Sequence, residues 1–360
     1  VGAIIVTLNM GTRPLFVIVI MLSGACATGN IGQNARVPAS PNVTNTVSVG
    51  LAQLRFEDAT RHRPLPTRIW YPSKPTPLGR GDTIEGIFVA HSATNAPLAS
   101  SPQQFPLVLL SHGTGGGSSN LVWLAEHLAQ HGYLVAAVDH FGNTFGNNST
   151  EGVVSVWRRP RDITYVLDAL LTDPLFGSRI AVNRIGAAGF SAGGYTVIAL
   201  AGGRYHPELM AAYCSQHPTE VVCQLAGDLD VSKFPDRSSA SASYSESRIR
   251  AVFAMAPAVG QGFAQEDLAS VSVPVSIVAG LHDEVLPFQL NAQRYAQFIA
   301  GSHLTALESG GHYVFMPLCN PRGFQYAREV CADIAPSVDR KAIHERVEQL
   351  ALKFFDEHLR

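Results

Sequence analysis

Gly189-Phe190-Ser191-Ala192-Gly193 lies between the apolar run Arg184-Ile185-Gly186-Ala187-Ala188, which reads as a buried strand, and a helix pattern. A serine on a sharp strand-to-helix turn has a strained backbone and a hydroxyl lifted clear of the sheet, beside the N–H groups of the helix start. Only small neighbours escape a clash there, and Gly189, Gly193 and Gly194 meet that need. The G-x-S-x-G string by itself is weak. Its position between strand and helix makes Ser191 the predicted nucleophile.

Such a serine needs a base, and the base an orienting acid. In this architecture the chain order is serine, acid, histidine. Downstream, Val275-Ser276-Ile277-Val278-Ala279 reads as a buried strand running into Gly280-Leu281-His282-Asp283-Glu284-Val285-Leu286-Pro287. Asp283 stands just past the strand end and is the predicted acid; Glu284, one residue further, is expected to face solvent. The next strand, His303 to Leu307, is followed by Glu308-Ser309-Gly310-Gly311-His312. Of 13 histidines, His312 alone falls in this order at a glycine hinge after the last strand, and it is the predicted base. The oxyanion requires two N–H donors. Ala192, after the nucleophile, is one, and Thr114 in His112-Gly113-Thr114-Gly115-Gly116-Gly117 is the other. His112, His140 and His282 read as scaffold.

Around this centre the chain alternates short apolar strands with amphipathic helices. Phe105 to Leu110 and Tyr133 to Val138 read as buried strands, with a helix from Leu121 to His131 between them. Another helix carries Ile163, Val166, Leu167 and Leu170 on one face, and Ile249 to Met255 is a further strand. The pattern implies an α/β fold with a mostly parallel sheet covered by helices on both faces. Val47 to Phe56 and Pro66 to Tyr71 precede it as strands, and Pro72 to Gln104 reads as a long connection. The last helix shows a stripe of Ile343, Val347, Leu350 and Phe354. Residues 203–247 break the rhythm and are expected to form a small cap-like insertion within a hydrolase-like domain at 46–360.

With 46% hydrophobic and 15% charged residues the chain has ample material for a core, so intrinsic disorder is ruled out. A net charge of −2 offers no electrostatic reason to expect nucleic acid. Met10-Gly11-Thr12-Arg13, the apolar run Leu15 to Leu22 and Ala25-Cys26-Ala27 read as a secretory signal peptide ending near residue 27, with an upstream extension. A polar linker over 28–45 follows. The expected location is therefore secreted or periplasmic. A lipid anchor on Cys26 is the second reading, and the membrane is a partner only in that case. Four cysteines then remain, and closeness in sequence favours Cys214–Cys223 and Cys319–Cys331 among the three pairings that four cysteines allow. Neither H-E-x-x-H nor C-x-x-C is present, so no metal or cofactor is expected. Oligomeric state has no marker in the sequence.

His112 to Gly116, Asp139-His140-Phe141-Gly142-Asn143-Thr144, Arg158-Arg159-Pro160-Arg161-Asp162 and Gly189 to Gly194 together resemble a serine α/β-hydrolase. The group includes predicted dienelactone hydrolases and bacterial relatives of platelet-activating-factor acetylhydrolase. The resemblance runs from about Pro64 to the C-terminus. It implies an ester hydrolase acting on a small-molecule ester through an acyl-enzyme. Dienelactone hydrolases proper carry a cysteine where Ser191 stands. Eukaryotic platelet-activating-factor acetylhydrolases carry the acid after an earlier strand, where Ala256-Pro257-Ala258 stands here. Asp283 with Pro287 is more similar to cutinase-like polyester hydrolases. Those place aromatic residues where this chain has Thr114 and Ala258, so a covered pocket for small or short-chain esters is expected over an open polymer cleft. Polyester or phospholipid acetyl-ester hydrolysis is the alternative. A non-catalytic binding protein of the same fold is the rival class.

Overall fold

The computed structural model describes residues 46–77, 83–84, 86–225, 234 and 236–360. The expected signal peptide (1–27), Cys26 and the linker (28–45) lie outside the described residues.

The chain opens with two long strands, β1 (Thr46–Asp58) and β2 (Arg63–Pro77), paired antiparallel with Leu51 opposite Trp70. Both run further than the sequence pattern suggested. Residues 72–77, read as connection because of their prolines, pair with the start of β1. Beyond Trp70 the other side of β2 meets residues 97–99 instead of β7: Lys74 N–H donates to Pro97 O at 3.0 Å and Pro72 O accepts from Ala99 N–H at 2.9 Å, so Pro72 and Pro97 serve as acceptors and need no N–H there. Three two-residue strands follow, β3 (Thr83–Ile84), β4 (Phe88–Val89) and β5 (Ala93–Thr94).

The centre of the sheet is made by β6 (Phe105–Ser111) and β7 (Leu134–Val138), and a two-residue pair, β8 (Asn143–Thr144) and β9 (Asn147–Asn148), forms a separate hairpin. Next come β10 (Ile180–Phe190), β11 (Ile249–Met255), β12 (Val275–Gly280) and β13 (His303–Leu307). The sheet has nine strands in the order β13-β12-β11-β10-β6-β7-β2-β1-β5. From β13 to β7 every pairing is parallel, and only β7–β2 and β2–β1 are antiparallel. β6, β7 and β12 are buried along their whole length, which explains unbroken apolar runs instead of alternation.

Helices cover the sheet. α1 (Val122–Gln130) lies between β6 and β7, and α2 (Thr150–Val154) and α3 (Arg158–Leu171) precede β10. α3 turns Ile163, Val166, Leu167 and Leu170 inward, as its spacing predicted. α4 (Ala192–Leu200) is buried at every position, so it shows no polar face. Residues 203–247 contribute no sheet strand among the described residues. They hold α5 (Pro207–Gln216) and α6 (Val221–Gln224), joined by the Cys214–Cys223 disulfide. After α7 (Gln265–Ala269), α8 (Ala292–Phe298), α9 (Pro321–Tyr326) and α10 (Arg328–Cys331), the Cys319–Cys331 disulfide closes the second loop. Both pairings are those expected from sequence closeness.

The final helix, α11 (Arg340–Leu359), corrects one expectation. Its buried stripe is Ile343, Val347, Ala351, Phe355 and Leu359, spaced by four, while Leu350 and Phe354 are half-buried at its margin. The stripe of buried positions advances by four along the helix and passes through the small Ala351, which the larger neighbours had masked. Among the described residues no helix is long and apolar enough to cross a membrane.

Candidate active site

β10 ends at Phe190 and α4 begins at Ala192, so one residue makes the whole turn. That residue, Ser191, has φ +58° and ψ −117°, outside the allowed regions for a side chain with Cβ. Its backbone is held on both sides: Ser191 N–H donates to Met255 O at 2.9 Å, and Ser191 O accepts from Ala258 N–H at 3.0 Å. A side-chain carbon on Gly193 would overlap the Ser111 carbonyl oxygen, so the helix start fits against β6 only with glycine there. Strain maintained by its surroundings in this way is typical of functional positions.

The turn brings Ser191, His312 and Asp283 together. Ser191 Oγ lies 3.0 Å from His312 Nε2, and His312 Nδ1 lies 2.8 Å from Asp283 Oδ2. With Nδ1–H donating to the carboxylate, Nε2 is free to accept from the serine hydroxyl. Asp283 Oδ1 accepts in turn from the N–H groups of Val285 and Leu286 at 2.9 and 2.7 Å, which fixes the carboxylate plane. All three residues are buried, Ser191 only 8% exposed. Glu284, expected to point only to solvent, is exposed overall yet accepts from the His312 main-chain N–H at 3.0 Å. The two neighbouring acids thus hold one histidine at two points, its ring and its backbone.

The loop after β6 passes directly beside Ser191. A side-chain carbon on Gly113 would lie 3.2 Å from the Phe190 ring and 3.3 Å from Ser191 Cβ, so the loop backbone runs close against this turn. Thr114 is exposed at this edge, and Ala192 is buried at the helix start. The β8–β9 hairpin braces the loop from outside. Asn143 Oδ1 accepts from Gly115 N–H at 2.8 Å, and Gly116 O accepts from Thr144 Oγ1 at 2.8 Å and Phe145 N–H at 2.6 Å. Phe145, at the hairpin tip, is 86% exposed.

Behind the loop lies a buried polar network, which sequence reasoning did not foresee although its residues stood out. Asp162, fully buried, accepts from Arg63 Nε and Nη2 at 2.8 and 2.6 Å, from Arg61 Nη1 at 2.9 Å and from His140 Nδ1 at 3.0 Å. Ser111 Oγ donates to His140 Nε2 at 2.9 Å. Burial alone would raise the Asp162 carboxyl, but the bonds from His140 and Arg63 hold it well below its usual range. Burial pulls the His140 imidazole down to about 3, helped by the charge of Arg159, so it is neutral at physiological pH. His112 is likewise kept neutral, chiefly by burial: its Nδ1–H donates to Gly113 O at 2.7 Å and its Nε2 accepts from His140 N–H at 3.2 Å. Both histidines are buried and spend their ring nitrogens on partners within the protein. His282 is exposed, on the same turn as Asp283.

Three resemblances can be set beside this geometry. The family model for platelet-activating factor acetylhydrolase, isoform II, matches residues 81–145. A solved structure, a ferulic acid esterase from Streptomyces cinnamoneus, superposes with a TM-score of 0.60 at 22% identity, covering 89% of this chain and 92% of that one. The chain has the α/β-hydrolase fold. Cutinase est1 and cutinase est2 of Thermobifida alba are each 34% identical over 107 residues, 29% of this chain. The matched stretch spans about a third of the length of these curated relatives, 32% of each. Ser191 follows β10, Asp283 follows β12 and His312 follows β13 in this fold.

Proposed function

We propose that this chain is a serine carboxylic-ester hydrolase with Ser191 as nucleophile, His312 as base and Asp283 as its orienting acid. The reading is carried by one observation, the unbroken Ser191–His312–Asp283 hydrogen-bond relay on a positive-φ strand-to-helix turn. It is supported by resemblance to proteins named as esterase and cutinases. Ser191 Oγ attacks the ester carbonyl carbon as His312 Nε2 takes its proton. The carbonyl oxygen, now an oxyanion, accepts from the N–H groups of Thr114 and Ala192, each such donor worth about 3 kcal/mol. Collapse expels the alcohol, which takes the proton from His312. A water, deprotonated by the same imidazole, then releases the acid and regenerates the serine.

The substrate we assign is a small or short-chain ester under a cap formed by residues 203–247. The segment is tied to loops at the carboxyl end of the sheet. His206 N–H donates to Gly262 O at 2.7 Å, just after β11, and Asp236 accepts from Trp157 Nε1 at 3.0 Å and Arg158 Nε at 2.6 Å at the start of α3. Phe145 offers an apolar rim beside the oxyanion loop for the ester's hydrophobic part. Export is supported by the two disulfides, which persist in oxidising compartments.

Hydrolysis of p-nitrophenyl esters from acetyl to long acyl chains, beside Ser191→Ala, tests the proposal. Wild-type activity that peaks at short chains and vanishes in the variant is expected, as is covalent labelling of Ser191 by a serine-directed phosphonate. Equal inertness of both proteins, with no labelling, would overturn it in favour of a binding protein. Preference for long chains or polymer films would keep the chemistry and overturn the small-ester assignment.

A further inference from the structure

Arg159, on the first turn of α3, is 1% exposed, yet its guanidinium bonds to no carboxylate. Nη1 donates to His112 O at 2.6 Å and to Ser111 Oγ at 3.2 Å, and Nη2 donates to Gly113 O at 3.1 Å. Nε is buried without a partner. A buried cation ordinarily requires a carboxylate in contact. Here the directed bonds go instead to two consecutive main-chain carbonyls beside the nucleophile, and the nearby Asp162 spends its oxygens on Arg61, Arg63 and His140.

Those two carbonyls belong to the peptide units that carry the Gly113 and Thr114 N–H groups. In a trans peptide the C=O and N–H are coplanar and point in opposite directions. A donor that pins Gly113 O toward α3 therefore turns the Thr114 N–H the other way, and the bond to His112 O does the same for Gly113. Within the glycine-rich loop Gly113 O also accepts from Gly116 N–H at 3.2 Å, and Arg159 adds the bonds that fix this peptide from α3. His112 Nδ1 adds a further bond to Gly113 O at 2.7 Å, and Ser111 Oγ links the guanidinium to His140 and so to Asp162.

We propose that Arg159 is a positioning residue for oxyanion stabilisation: by holding the carbonyls of His112 and Gly113 it sets the peptide plane that aims the Thr114 N–H at the reacting carbonyl oxygen. The inference rests on the ester-hydrolase reading. The clamp acts on the tetrahedral state and leaves the Ser191–His312–Asp283 relay untouched.

The test is Arg159→Lys, with its fold checked by circular dichroism, assayed on p-nitrophenyl acetate across pH and against an aryl trifluoromethyl ketone. That inhibitor adds Ser191 Oγ to its carbonyl and leaves an oxyanion in place. Lysine keeps the charge but cannot reach two carbonyls in one plane. A fall in kcat of about 10- to 100-fold is expected, with KM within twofold and the acidic limb of the kcat/KM profile unmoved. Affinity for the ketone should fall by the same factor as kcat/KM. A merely structural role would move Tm and KM without that proportionality. A folded variant with kcat and ketone affinity within twofold of wild type overturns the proposal. If the lysine variant does not fold, Ser111→Ala, which removes one anchor of Nη1, decides by the same readouts: a kcat loss of several-fold at constant KM supports the clamp, and none overturns it. Wild type inert toward every ester overturns the hydrolase reading itself and the clamp with it, a result distinct from an active wild type with an unimpaired variant.

Discussion

The main-chain N–H of His312 donates to Glu284 at 3.0 Å while its ring nitrogen meets the preceding residue, Asp283, at 2.8 Å. Two adjacent acids therefore hold one histidine in different ways, and their replacement should separate. Asp283→Asn removes the acceptor that fixes the imidazole tautomer and is expected to lower kcat by about 10³- to 10⁴-fold with KM little changed. Glu284→Gln keeps an acceptor for the backbone N–H and should cost less than about tenfold. Steady-state kinetics on a short-chain ester would check this. The reverse ranking would make Glu284 the orienting acid.

Gly193 is the position where the turn tolerates least. Its missing side chain makes room for the Ser111 carbonyl, backbone that cannot rotate away. Gly193→Ala should destabilise the protein by about 3 kcal/mol or more, or leave it insoluble. Urea unfolding of the soluble fraction measures it.

Acid should act first on the buried imidazoles. His140 is held neutral down to about 3 in the folded chain, against about 6.5 when unfolded. Between those values the unfolded state binds the extra proton, so stability is fully present above pH 6.5 and falls as pH drops toward 3. Asp162, held low in the fold, adds its loss below about pH 4, in the same direction. One such histidine contributes a slope of about 1.4 kcal/mol per pH unit. His140→Gln should flatten the pH dependence of urea-unfolding free energy between pH 6 and 4 by about that amount. An unchanged slope would show that His140 is not the group responsible.

The two disulfides close loops of similar length, 9 and 12 residues in separation, and so should constrain an unfolded chain alike, by about 3 kcal/mol each. Their surroundings differ. Cys331 is packed beside Gly323, and Cys319 forms a β-bridge with Phe88 of β4. Cys214 and Cys223 join α5 and α6, where Pro207, Met210 and Cys223 are the buried residues. Removing Cys319–Cys331 by double serine substitution should lower global stability by about the full amount. Removing Cys214–Cys223 should chiefly speed amide exchange in α5 and α6, a local opening. Thermal unfolding paired with hydrogen exchange distinguishes the two.

Phe145 leaves almost its whole side chain in water at the tip of a hairpin bonded to the oxyanion loop. Phe145→Ser should leave stability within about 0.5 kcal/mol. It should raise KM several-fold for aryl or longer acyl esters and spare kcat for acetyl esters. Equal KM across the panel in both proteins would remove Phe145 from the substrate's path.

Much of this molecule was legible in one dimension because its determinants are local or periodic. The buried strands show as unbroken apolar runs, since both faces of a parallel sheet are covered. Ser191 shows because a one-residue turn at positive φ demands glycines around it. Asp283 and His312 follow from chain order at strand ends, and the disulfides from short separations. What only the tertiary structure decided depends on groups distant in sequence meeting in space. Arg159 stood in the sequence only as part of the Arg158–Asp162 motif, with no partner assigned, and its charge is buried because α3 packs against the end of β6, where two main-chain carbonyls accept it. Glu284 looked solvated, and it takes a backbone N–H because the turn after β12 lies beside the hinge before His312. The prolines of 72–77 hid a strand because nothing in the sequence says that residues 97–99 return beside it and that Pro72 and Pro97 there serve as acceptors. Periodicity and turn chemistry are written into the order of side chains. The partners of a buried charge or an unpaired strand edge are chosen only when the chain closes on itself.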